Sequence, residues 1–245
     1  MLRHDLHSTD NRHMRGIMRI LPGIMLGVWL SLSAQAQTTF QGSVYLLAGI
    51  PQGAFRANVD NAGFGLDFDV GWRFQHAPLF LGAELGFMIY GVERRKEPFS
   101  MTIPDVTVDV ETVNNMAMGH LVMRVQPALG RLWPFVEGLA GGRYFYTRTS
   151  IESEQQEEIA ASTNYEDVAL SYGYGGGVEI ELYQKATPRR RQRLLLHVGG
   201  RYLYGSEAEY LRKGSIRRVN GRVFYDVYRS RTNVLIWRLG LTFHF

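Results

Sequence analysis

The chain has 245 residues, 27 basic against 23 acidic side chains, 27 glycines and no cysteine. The missing cysteine excludes a disulfide framework, a thiolate metal site and cysteine catalysis, and the formal charge of +4, drawn from both signs, is a mixed surface rather than a nucleic-acid-binding block. Beyond residue 36 no apolar run is long enough for a membrane helix, which leaves open a membrane β-barrel, whose apolar residues alternate with polar ones.

The first element is a leader. Arg15 and Arg19 precede an apolar run from Ile20 to Leu32, and Ala34-Gln35-Ala36 follows it. A basic start, a short apolar stretch and an A-x-A site predict a secretory signal peptide over 1–36, cleaved after Ala36. A membrane anchor is the competing reading, but it calls for a longer run and a charged flank. Translation from Met1 or from Met14 gives such a leader, Met14 one of more ordinary length. Residues 37–245 then form a single domain without a linker.

From Thr38 onward the pattern is period two, the signature of strands. Phe64, Leu66, Phe68, Val70 and Trp72 alternate with Gly65, Asp67, Asp69, Gly71 and Arg73. Leu79–Tyr90 repeats the pattern, and in 167–183 Val168, Leu170, Tyr172, Tyr174 and Val178 alternate with Ala169, Ser171, Gly173, Gly175, Gly177 and Glu179. Eight stretches are predicted as strands: 40–50, 62–74, 79–92, 115–129, 134–148, 167–183, 193–206 and 232–245. They are long for soluble strands and suited to crossing a bilayer at a tilt. Connections at 75–78, 130–133 and 184–192 are short, and those at 51–61, 93–114, 149–166 and 207–231 are longer. Short turns at one end and long loops at the other predict an all-β, eight-stranded antiparallel up-and-down transmembrane barrel, with the short turns periplasmic and the long loops extracellular.

Alternation alone also fits a soluble barrel with an apolar interior. Glycine in the polar phase argues for the membrane, because a narrow interior needs small residues beside large ones. That phase also carries Asp67, Asp69, Glu84, Glu137, Glu179 and Glu181 opposite Arg73, Arg124, Arg143, Arg201 and Arg238, a set that can pair inside a closed barrel. The pairs Asp67/Asp69 and Glu179/Glu181 are read as arginine partners rather than as acid–base pairs. Aromatic residues line up at two levels. Tyr144, Tyr146, Tyr172, Tyr174, Tyr202 and Tyr204 lie toward the long loops, and Trp72, Phe243 and Phe245 toward the short turns, as two interfacial girdles.

The last strand alternates Trp237, Leu239, Leu241, Phe243 and Phe245 with Arg238, Gly240, Thr242 and His244, and ends on Phe245. With the leader and eight alternating strands, this resembles the bacterial outer-membrane β-barrel domain family, the class of OmpX and the OmpA membrane domain, over essentially the whole of 37–245. The resemblance implies an outer-membrane location in a Gram-negative cell envelope. It also implies folding by the outer-membrane assembly machinery through the terminal-Phe strand, and contact with outer-membrane lipid and lipopolysaccharide.

Catalysis has no visible carrier. A serine nucleophile with its base two residues away reads His-x-Ser, but His120 precedes Leu121-Val122, His197 precedes Val198-Gly199, and His244 precedes Phe245. His76 lies in a short turn, and His197 is placed inside the barrel near Glu84 or Glu137. No enzyme, cofactor, metal or nucleic acid is predicted, and the barrel is expected to be monomeric. The loop at 149–166 carries Glu152, Glu154, Glu157, Glu158 and Glu166; that at 207–231 carries Arg212, Lys213, Arg217, Arg218 and Arg222 among aromatic residues. The basic loop either binds the phosphates of lipopolysaccharide or pairs with the acidic loop. Val223–Arg229 alternates too, so the last two strands are expected to project as a β-ribbon. The predicted role is structural or a surface interaction, over a filled polar interior. A narrow pore is the alternative, and a lipid-modifying enzyme the third reading.

Overall fold

The structure is a computed structural model that describes residues 38–74, 76–100, 103–152, 158–187, 190–219 and 222–245. The leader predicted at 1–36 lies outside the described residues, as do Glu154 and Glu157.

The wall is built from β1 (Thr38–Pro51), β2 (Gly63–Phe74), β3 (Leu79–Ser100), β4 (Ile103–Val125), β5 (Leu132–Glu152), β6 (Glu158–Thr187) and β7 (Arg190–Gly205). A helical turn, α1 (Gly53–Asn58), follows β1. Four short strands come next, β8 (Glu207–Tyr210), β9 (Ile216–Val219), β10 (Arg222–Tyr225) and β11 (Tyr228–Arg231), before β12 (Val234–His244) completes the wall. Each wall strand pairs with its sequence neighbour in the sheet, and β1 meets β12 from Gln41↔His244 to Pro51↔Val234, so the sheet closes on itself. Closure leaves no unpaired edge around the wall, the condition for a sheet to stand in hydrocarbon.

The two faces are inverted relative to a soluble protein. On β2 the outward Phe64, Leu66, Phe68, Val70 and Trp72 are exposed, while the inward Asp67 and Asp69 are fully buried. Leu85, Leu121 and Leu170 continue the outer belt, each more than 70% exposed. A continuous apolar belt of this kind has no place in water and suits a bilayer. The interior is narrow enough for glycine to matter. At Gly177 a Cβ would stand 2.2 Å from the Val198 carbonyl oxygen and 2.9 Å from the Phe135 ring, so a side chain there would expel that ring from the lumen.

Two of the predicted loops are strands. Residues 93–114 and 149–166 were expected as connections; instead β3 and β4 pair as far as Ser100↔Ile103, and β5 and β6 as far as Glu152↔Glu158. The wall therefore continues outward as two tall hairpins. These extensions are polar on both faces because neither meets lipid, so the apolar phase that marks a membrane strand is missing. The fourth strand ends at Val125 rather than 129, where Gln126 turns its N–H to the Pro78 carbonyl. Beyond β7, β8 pairs with β11 and β9 with β10, a two-part ribbon over the expected position.

The interior differs from the expected polar filling. Toward the periplasmic side it is charged. Toward the outer mouth it is an apolar cluster of Leu47, Phe55, Tyr90, Met116, Phe145, Leu203, Tyr210 and Ile236. The correction comes from α1. It drops Phe55, fully buried, into the mouth among wall side chains that are themselves apolar at that level.

Candidate functional site

Five carboxylates and three arginines from around the wall meet in the charged half. Arg201 on β7 donates to Glu84 on β3 and to Asp67 on β2, both at 2.6 Å. Arg238 on β12 donates to Glu137 on β5 at 2.5 Å and stands 3.5 Å from both Glu84 and Asp67. Arg124 on β4 donates to Asp69 and to Glu137 at 3.0 Å, and lies 3.6 Å from Glu179 on β6. All these side chains are buried. Buried charges survive only when paired and hydrogen-bonded on every side, and the aromatic faces help. The Arg124 guanidinium lies between the rings of Phe80 (5.1 Å) and Phe135 (5.0 Å), and that of Arg238 lies 4.5 Å from the Tyr45 ring.

Further groups complete the network, none of which the alternation singled out for it. Tyr45 donates its hydroxyl to Asp69 at 2.7 Å. The Nδ1 of His120 is 3.0 Å from Glu84, and that of His197 is 2.9 Å from Glu179 rather than near Glu84 or Glu137 as expected. Glu179 also accepts from Gln126 at 2.6 Å and from Thr242 at 3.0 Å. Three arginines and two histidines thus face five carboxylates. Both histidines are spent on lumen carboxylates. The signal that could have found these groups is the inward phase itself, which carries Tyr45, His120, His197 and Thr242 on four different strands.

Three residues expected in the network stand apart from it. Arg73 is at the periplasmic rim, donates to the side-chain and backbone oxygens of Gln126 at 2.6 and 2.7 Å, and stacks on Trp133. Glu181 sits at a bulge at that rim and pairs with Arg193 at 3.4 Å. Arg143 is buried in the apolar half, six residues along β5 from Glu137, and no carboxylate lies within ion-pair distance of it among the described residues.

The aromatic residues gather at two levels. At the outer level Tyr144 stacks on Tyr146, and Tyr204 meets Tyr172, Tyr174 and Tyr202 at 4.9 to 6.3 Å. At the inner level Trp72 and Phe245 both contact Phe40, which the pattern did not include, and Phe243 is partly exposed on the same strand end.

The basic segment lies on the ribbon. Arg217 and Arg222 share one face of the β9–β10 hairpin with Phe224, by their pairing register. Arg217 holds Asp226 at 2.9 Å with both side chains exposed. Arg212 is drawn back onto the Tyr228 ring at 4.2 Å, and Lys213 is exposed beside it. The side chain of Arg218 lies outside the described residues. The expected pairing with the acidic hairpin is not what Arg217 and Arg229 do. They find Asp226 and Glu207 within their own segment, because each hairpin brings its own strands together first. Among the described residues no group of acids and histidines is arranged to hold a metal.

A closed antiparallel barrel of eight wall strands, apolar outside and charged inside, is an outer-membrane β-barrel. No family model matches the chain, and no curated protein matches it. Among solved structures it is similar to Neisserial surface protein A, with 15% identity over 84% of this chain and 95% of that one, at a TM-score of 0.37. It is also similar to Ail of Yersinia pestis, solved with the heparin analogue sucrose octasulfate, with 13% identity, 86% and 99% coverage and a TM-score of 0.33. A major outer membrane protein from Thermus thermophilus gives 12% identity, 84% and 99% coverage and a TM-score of 0.38. Likenesses this distant carry no ligand or role to this chain.

Proposed function

We propose that this protein is a non-conducting, monomeric outer-membrane barrel that acts outside the bilayer, binding the phosphates of lipopolysaccharide through its basic hairpin and so reinforcing the envelope. The observation that carries this reading is the shared face of Arg217, Arg222 and Phe224 on β9–β10, beyond the wall. The Arg217–Asp226 pair is solvent-exposed, and such a pair is worth little. A phosphate offers Arg217 a stronger, bidentate partner. The filled lumen supports the non-conducting half of the proposal, since the charge network and Phe55 occupy it in series. The strand ending at Phe245 closes the wall against β1, which fits its expected recognition by the assembly machinery.

The test is titration of the folded barrel in detergent with lipopolysaccharide, at rising salt. Binding should weaken with salt, and R217A/R222A should bind roughly tenfold less tightly, the loss of about 1.4 kcal/mol of charge-assisted contacts. Unchanged binding by the double variant sinks the glycolipid reading. Stepwise conductance in planar bilayers would favour the pore instead.

A further inference from the structure

Arg143 is the cation that the charge network leaves out. It points inward from β5 and is 1% exposed, yet its three guanidinium nitrogens have no hydrogen-bond acceptor among the described residues. Ser171 of β6 is on the same inner face, by the register Arg143↔Ala169. It is 2% exposed, and its hydroxyl is also without a partner. The acid further out on that face, Asp167, turns its oxygens to the backbone N–H groups of Val168 and Glu209. Glu137 is roughly 20 Å away along β5, at 3.4 Å per residue.

The chain makes room for this guanidinium. A Cβ on Gly205, the strand partner of Ser171, would lie 2.1 Å from an Arg143 nitrogen and 2.1 Å from the Thr232 hydroxyl. Gly205 therefore presents a bare backbone surface on which the guanidinium rests. A buried charge with no counter-charge is among the costliest features a fold can hold. Water can satisfy its N–H groups but cannot cancel its charge.

We infer that Arg143 and Ser171 form a binding site for a small inorganic anion of halide or nitrate size, held inside the barrel beneath the Phe55 plug. The guanidinium supplies the charge and up to five N–H donors, and the serine hydroxyl supplies one more. Only small residues, Ala169, Ser171 and Gly205, stand beside the charge on the neighbouring strands. That restricts the ligand to a compact ion and excludes a lipid phosphate with its chains.

The test uses the whole folded barrel. Crystals grown in sodium bromide should show an anomalous peak in contact with the Arg143 guanidinium. In solution, replacing gluconate by bromide at constant ionic strength should raise the thermal unfolding midpoint by roughly 2–4 °C for an ion about tenfold above its dissociation constant. Arg143→Met should lose that rise while unfolding in gluconate no earlier than the parent, since it removes an uncompensated charge. A crystal structure with no bromide peak and Arg143 bridged to Asp167 overturns the inference. So does a bromide effect that persists in R143M. If R143M does not fold, the bromide diffraction from the parent protein decides alone.

Discussion

Toward the periplasm, Arg124, Arg201 and Arg238 bind carboxylates contributed by four other wall strands; toward the outer mouth, Phe55, Tyr90, Phe145 and Tyr210 meet ring to ring. The first filling is made entirely of wall residues, joined across separations of up to 154 positions, so it exists only when the cylinder has closed. The second depends on an inserted turn, α1, which can leave without breaking a wall hydrogen bond. The charged half therefore reports on closure and register, and the apolar half on the mouth.

The largest effect should come from the charged half. Arg124→Met leaves Asp69, Glu137 and Glu179 short of a shared cation while burying no new charge. Breaking a buried network in this way costs about 3–5 kcal/mol. Denaturant unfolding of the refolded barrel should show that loss, and the unheated band on SDS gels should give way to the unfolded one at lower temperature.

Phe55→Ala tests whether the halves are separable. Emptying this site should cost about 3 kcal/mol locally, the low end for a buried phenylalanine. Hydrogen exchange should rise in α1 and at the outer ends of the strands, and stay slow around Arg124 and Arg238. Equal loss of protection in both halves would show that the lumen is one cooperative unit. Tyr45→Phe is smaller. It keeps the ring under Arg238 and removes only the 2.7 Å bond to Asp69, a bond to a charged acceptor worth about 2 kcal/mol.

What could be read from the chain follows the same division. The wall was legible because lipid on one side and a polar lumen on the other impose strict alternation, as at Phe64–Arg73. The tall hairpins were not, since Glu93-Arg94-Arg95-Lys96 meets water on both faces and the lipid-facing phase disappears; only the alternation of Val106, Val108 and Val110 signalled a strand there. The lumen's charged members were visible, but not their partners. Partnership depends on how far the strands are staggered around the cylinder, which sets Arg201 against Asp67 and Glu84 while Arg143 meets no acid. Phe55 was invisible because a six-residue turn has no periodicity of its own.

The smallest expected effect lies outside the wall, where Tyr165 of β6 donates its hydroxyl to Glu209 of β8 and ties a tall hairpin to the ribbon. That hydrogen bond, with slight burial and the nearby carboxylate charge, pushes the phenol from 10.0 up to about 12. The fold thus favours the protonated phenol. The stabilisation is present in full below about pH 10 and is lost as pH rises through about 12. Because the pair is exposed, its loss should loosen the ribbon rather than the barrel. Alkaline titration followed by phenolate absorbance should show one late-ionising tyrosine that is absent in Y165F, while the unheated SDS band of both proteins stays folded over that range. Identical titration curves would mean that β6 and β8 are not joined through this bond, and that the ribbon moves independently of the hairpin beside it.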